Sequence, residues 1–76
     1  MSQHFPALKP KAVIRALQRA GFFIHHTSGS HHILKHPSKA ELRVTVPFHN
    51  RDLKRKTPAS IIEQAGYTPE EFIKLL

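Results

Sequence analysis

The chain has 76 residues and a mass of 8.7 kDa, with 12 Lys and Arg against 5 Asp and Glu, a formal charge of +7 when its 7 histidines are counted neutral. That length holds one small basic domain over residues 1–76, with no room for a second domain or a deep cofactor cavity. Cysteine is absent, which excludes disulfide scaffolds, thiolate zinc sites and cysteine nucleophiles.

In chain order, Met1 to Pro6 has no signal-peptide core, and no apolar run approaches a membrane span, so the expected compartment is the cytoplasm. Val13, Ala16, Leu17 and Ala20 then recur at helical spacing. Pro10 is preset for a first turn and Gly21 is placed to end it, predicting an amphipathic helix over 10–20. Its outer face carries Lys11, Arg15, Gln18 and Arg19. From Phe22 to Thr27 the residues are β-rich, Ser28 to Ser30 reads as a turn, and His31 to His36 reads as the return strand. Pro37 to Ala40 predicts a second turn. Glu41 to Val46 alternates cleanly, placing Leu42, Val44 and Val46 inward and Glu41, Arg43 and Thr45 outward, until Pro47 stops the strand.

Residues 48–56 form a basic connection without a strong period. Thr57 and Pro58 then open a second helix with Ile61, Ile62 and Ala65 on its apolar face and Gly66 at its end. Thr68-Pro69-Glu70-Glu71 has the pattern of a capping box and Tyr67 can staple onto Phe72. A terminal helix over 69–76 is expected, packed through Phe72, Ile73 and Leu76. The order is α-β-β-β-α with a C-terminal helical extension: an α+β fold in which a three-stranded antiparallel sheet carries helices on one face and leaves the other open.

The charge is uneven. Residues 1–56 hold eleven cations against two acids, whereas residues 57–76 hold one against three. Such a field attracts polyanions, so RNA or DNA is the leading class of partner. No helix-turn-helix spacing is present to favour DNA, and the cations are spread over several elements instead of along one membrane-binding helix. Steep salt dependence is expected from Lys11, Arg15, Lys35, Arg43, Arg51, Lys54 and Arg55. Base stacking would need exposed aromatics, and the two outside the predicted core, Phe23 and Phe48, are expected to be packed.

Across Gly29-Ser30-His31-His32-Ile33-Leu34-Lys35-His36-Pro37 and Val44-Thr45-Val46-Pro47-Phe48-His49 the chain resembles the HicA family of toxin ribonucleases from bacterial toxin–antitoxin pairs. The likeness begins with a helix ending in Ala20-Gly21-Phe22 and runs to Ile61-Ile62-Glu63-Gln64-Ala65-Gly66 and a Glu-Glu-Phe stretch. Two features depart from the family pattern: a longer second turn, Pro37 to Glu41, and Lys56-Thr57-Pro58 in place of a Gly-Thr lead. The resemblance implies a double-stranded-RNA-binding-domain-like fold, metal-independent cleavage of messenger RNA, and neutralisation by a HicB-type antitoxin covering the active face.

The family's catalytic histidine directly follows Gly-Ser, which corresponds to His31. Strand alternation sends His31 and His32 to opposite faces, and the residue pattern alone leaves open which faces the substrate. An imidazole can take the proton of the RNA 2′-hydroxyl or protonate the departing 5′-oxygen, with Lys35 and Arg43 on adjacent strands as candidates to stabilise charge on the transition state. No metal and no cofactor is expected, since the histidine spacing matches no ligand set. Gly29 would let the backbone approach a phosphate and Ser30 offers a donor, although both are ordinary turn residues. His25 and His26 read as bystanders or as a proton-transfer partner, His36 as a hairpin cap, and His49 as a loop holder or an RNA contact. A non-catalytic RNA-binding module with the same open sheet is the alternative.

Overall fold

The computed structural model describes residues 8–54 and 56–76. Helix α1 spans Pro10–Arg19, with extended Lys9 before it, and proline at its first position costs nothing because that N–H would be unpaired anyway. Val13, Ile14, Ala16 and Leu17 are buried on one face. The helix stops at Gly21, whose φ of 100° suits a residue without Cβ, and Phe22 follows it into the core.

Three strands come next: β1 (Phe23–Ser28), β2 (His31–His36) and β3 (Lys39–Pro47), antiparallel in that spatial order. Each connection has two residues, Gly29-Ser30 and then Pro37-Ser38. The expectation of a longer second turn is therefore overturned. Lys39, Ala40 and Glu41 belong to β3, and a register shift between Lys35 and His36 takes up three residues of β3, since Lys35 pairs with Arg43 and His36 with Lys39. Helix α2 spans Lys56–Gln64 and α3 spans Pro69–Ile73.

One face of the sheet is closed by the helices. Leu34, Val44 and Val46 pack with Val13, Leu17, Ile61, Ile62 and Phe72, and Leu42 lies partly buried at the edge of that cluster. The capping box forms as expected: Glu71 N–H donates to Thr68 Oγ1 at 3.2 Å, and Thr68 N–H donates to Glu71 Oε1 at 2.8 Å. Tyr67 is partly buried against the cluster that contains Phe72. Ile73 and Leu76, expected in the core, are exposed. The α3 helix ends at Ile73, and Leu75 turns back against the core instead.

Along the free edge of β3, Thr45 N–H donates to Gln64 Oε1 at 2.9 Å, so a side chain from α2 satisfies a backbone donor that has no strand beside it. Among the described residues no helix is long and apolar enough to cross a membrane.

Candidate active site on the open sheet face

Strand pairing decides which side chains share a face. His31 pairs with Ser28 and Pro47, Ile33 with His26 and Thr45, and Lys35 with Phe23 and Arg43. These residues lie on the side away from the helices. His32, paired with Thr27 and Val46, lies on the helix side with Leu34. By this register His31 is on the open face, and its neighbour is not.

His31 is exposed, and among the described residues its imidazole has no hydrogen-bond or ring partner. Among the described residues nothing engages either ring nitrogen. His32 is half-buried and stacks on Phe48, with ring centroids 4.3 Å apart and planes 9° from parallel, while its Nδ1 is buried without a partner. Phe48 is in turn tied to the first hairpin, because its N–H donates to the Ser30 carbonyl at 2.7 Å. The Gly-Ser-His turn and the Val-Pro-Phe-His segment are therefore one unit, with the His32–Phe48 stack as its support.

Gly29 adopts φ 58° with open space where a Cβ would lie. That conformation, natural for glycine, lets a two-residue turn close the hairpin and leaves the backbone accessible. Lys35 and Arg43 face each other directly across β2 and β3. Two cations so placed repel, and an anion between them would relieve the repulsion. They lie four residues along the strand from His31 and Pro47, a separation of about 13 Å at the usual rise.

The remaining basic residues are divided. Lys11 and His49 line one cleft of ≈ 350 Å³ together with Lys9, Phe48 and Asn50. Arg51 and Lys54 are exposed on the loop beyond it. Arg15 belongs to a separate cleft with Leu8, Ala12, Arg19 and Leu76, apart from the histidine face. Arg55 lies outside the described residues. His49 Nδ1 accepts from Arg51 N–H at 3.1 Å, which is the loop-holding role.

His36 also holds structure. Its Nδ1 accepts from Ser38 N–H at 3.1 Å, so the ring proton sits on Nε2, 3.0 Å from the Ala20 carbonyl oxygen that accepts it. Its ring meets Phe22 edge-on at 5.0 Å. A Cβ on Gly21 would stand 2.7 Å from His36 Nε2, which gives the Ala-Gly-Phe helix ending a physical reason.

Two features were missed by sequence reasoning. Phe23 and Phe48 were expected to be packed, and both are exposed, at 44% and 39%, although one face of Phe48 is covered by His32. Each stands at a rim of the sheet where too few neighbours reach it. The other is a register shift in β1 between Ile24 and His26; it puts His26 on the open face, and no local residue pattern announces a bulge of this kind. Among the described residues no group of three or more His, Cys, Asp or Glu is arranged to hold a metal ion.

A protein-family model described as the HicA toxin of bacterial toxin–antitoxin matches residues 10–67, which takes in α1, the whole sheet and α2. No curated protein matches the chain significantly.

Proposed function

The chain belongs to the HicA toxin family, and from that premise we propose that it is the toxin of a type II toxin–antitoxin pair, an endoribonuclease that cleaves messenger RNA with His31 as its acid–base group. The observation that carries this reading is the state of His31: exposed, without a partner among the described residues, and on the sheet face that also bears Lys35 and Arg43. RNA brings its own nucleophile in the 2′-hydroxyl, so the protein need only move protons and balance charge. One imidazole nitrogen within hydrogen-bond reach of the 2′-oxygen or the 5′-oxygen suffices for such a step.

Lys35 and Arg43 then hold a phosphate further along the strand from the one being cleaved, because their separation from His31 exceeds the reach of a single phosphate. Gly29 and Ser30 offer accessible backbone at the turn, while Lys11, His49, Arg51 and Lys54 extend the basic path around the end of the sheet. The one carboxylate on the three strands is Glu41, near the far end of β3, which leaves the usual magnesium ligands missing beside His31. This donor set supports cleavage that needs no divalent cation.

A HicB-type antitoxin is the protein partner in this reading, presenting acidic residues to the open face and covering His31. The direct test uses the purified chain, an RNA transcript and excess EDTA. Cleavage leaving 2′,3′-cyclic phosphate ends supports the reading. Binding without cleavage would put the RNA-binding module in its place, and cleavage that disappears in chelator and returns with one added metal would refute the histidine mechanism.

A further inference from the structure

The transfer of a phosphoryl group from the 5′-oxygen to the 2′-oxygen asks for two proton movements, and the open face carries more than one histidine. We propose that His26, held by His25, is a second catalytic residue, and that it protonates the departing 5′-oxygen while His31 takes the proton from the 2′-hydroxyl; this rests on the ribonuclease reading above.

The placement comes from the bulge. An unbroken register from Ile24↔Leu34 would set His25 opposite Ile33 and His26 opposite His32, on the helix side. The observed pairing skips one residue, so His26 stands opposite Ile33 and Ser28 opposite His31. A bulge re-aims side chains in this way, and such features concentrate beside active sites. His26 and His31 become diagonal neighbours on one face, about 7–8 Å apart between backbone positions, a span that two imidazoles can close around one phosphodiester.

His25 supplies the second observation. Its Nδ1 lies 2.8 Å from Nδ1 of His26, with the rings 79° apart. One of these nitrogens must carry the proton that the other accepts. The contact engages the His26 ring through Nδ1 and leaves Nε2 as its other nitrogen, as a carboxylate does for the histidine of a catalytic triad. As the acid, His26 donates its Nδ1–H to His25 Nδ1 and carries a second proton on Nε2, the one it delivers, while His31, without a partner among the described residues, offers a ring nitrogen as the base.

Elimination points the same way. The sheet carries no Asp, Tyr or Cys, and its single Glu is distant. Of the other strand histidines, His32 is stacked beneath Phe48 and His36 has both nitrogens engaged by backbone. The charged groups facing the pair on the same side are Lys35 and Arg43, which serve phosphate and not the ring protons.

The step balances without a co-reactant. The 2′-oxygen gives its proton to His31 and bonds to phosphorus, the bond from phosphorus to the 5′-oxygen breaks, and that oxygen takes the proton of His26. The products are a 2′,3′-cyclic phosphate and a 5′-hydroxyl, and solvent exchange restores both rings.

The experiment compares an RNA oligonucleotide carrying one scissile linkage with the same oligonucleotide in which sulfur replaces the bridging 5′-oxygen, since a thiolate leaves without needing a proton. His26→Ala should slow the oxygen substrate about 10²-fold or more and the sulfur substrate less than about tenfold, whereas His31→Ala should slow both. His25→Ala should show the same dependence on leaving group in weaker form. Far-ultraviolet dichroism checks that each variant is folded, and His26→Gln provides a second variant of similar shape. Equal losses on both substrates, no loss on either, or rescue of His31→Ala by sulfur would overturn the assignment. Wild-type protein that cleaves neither substrate would overturn the ribonuclease reading and the pairing with it.

Discussion

At the residue scale, the junction between α1 and the sheet shows how little freedom the chain has where backbone and side chain meet. Gly21 combines a positive φ with the closest approach made by His36. Gly21→Ala should therefore destabilise the protein by more than about 1 kcal/mol, because alanine at positive φ is strained even where space exists. His36→Ala removes the obstruction but leaves the Ala20 carbonyl without its side-chain donor, at a cost of about 1–3 kcal/mol. Denaturant melts of the two single variants and the double variant check this. The double variant should lose less than the sum, since the clash is gone once the imidazole is; strict additivity would show that the contact carries no energy. His31 and His32 illustrate a different residue-scale point. Their division between faces follows from strand alternation and was legible, but which face was open depended on the register of all three strands, a non-local property.

At the scale of elements, local signals proved the most readable. The α1 start at Pro10, its end at Gly21 and the Thr68–Glu71 capping box each rest on interactions within four residues of one another, so sequence suffices. Thr68→Ala should cost about 1 kcal/mol, and Phe72→Ala, in the core beneath the same helix, about 3–5 kcal/mol; thermal unfolding distinguishes them. Similar losses for both would mean that the short helix α3 is not anchored through Phe72. What the sequence concealed was set by pairing across strands. The two-residue second turn, the β1 bulge and the exposure of Phe23, Phe48, Ile73 and Leu76 all depend on which neighbours arrive from elsewhere. His26 reaches the open face through one unpaired residue, and composition near Ile24 gives no sign of it.

At the scale of the whole molecule, the excess of cations in the first 56 residues is sorted by the fold into separate groups. Lys35 and Arg43 stand on the open face, Lys9 and Lys11 at the cleft beside Phe48, and Arg15 with Arg19 in another cleft. Affinity for single-stranded RNA should fall steeply with salt, each phosphate contact contributing about 0.7 to the slope of log affinity against log salt. Lys35→Ala and Arg43→Ala should each reduce that slope by such an amount, while Arg15→Ala should leave it nearly unchanged. An equal effect of all three would mean that RNA does not follow the open face. A partner that binds this face only in the folded state raises the melting temperature as its concentration rises. Co-expression of an acidic HicB-type protein should accordingly restore growth to cells making this chain.

The central claim is that His31, and not the adjacent histidine, carries out proton transfer on RNA. The measurement that tests it most directly is the cleavage rate of His31→Ala and His32→Ala side by side, in chelator, with folding verified by dichroism. His31→Ala should remain folded and lose about 10²–10⁴ in rate. His32→Ala should give up the Phe48 stack, worth about 0.5–1.5 kcal/mol of stability, yet continue to cleave. Cleavage by His31→Ala at the wild-type rate, or its loss in His32→Ala alone, would contradict the account.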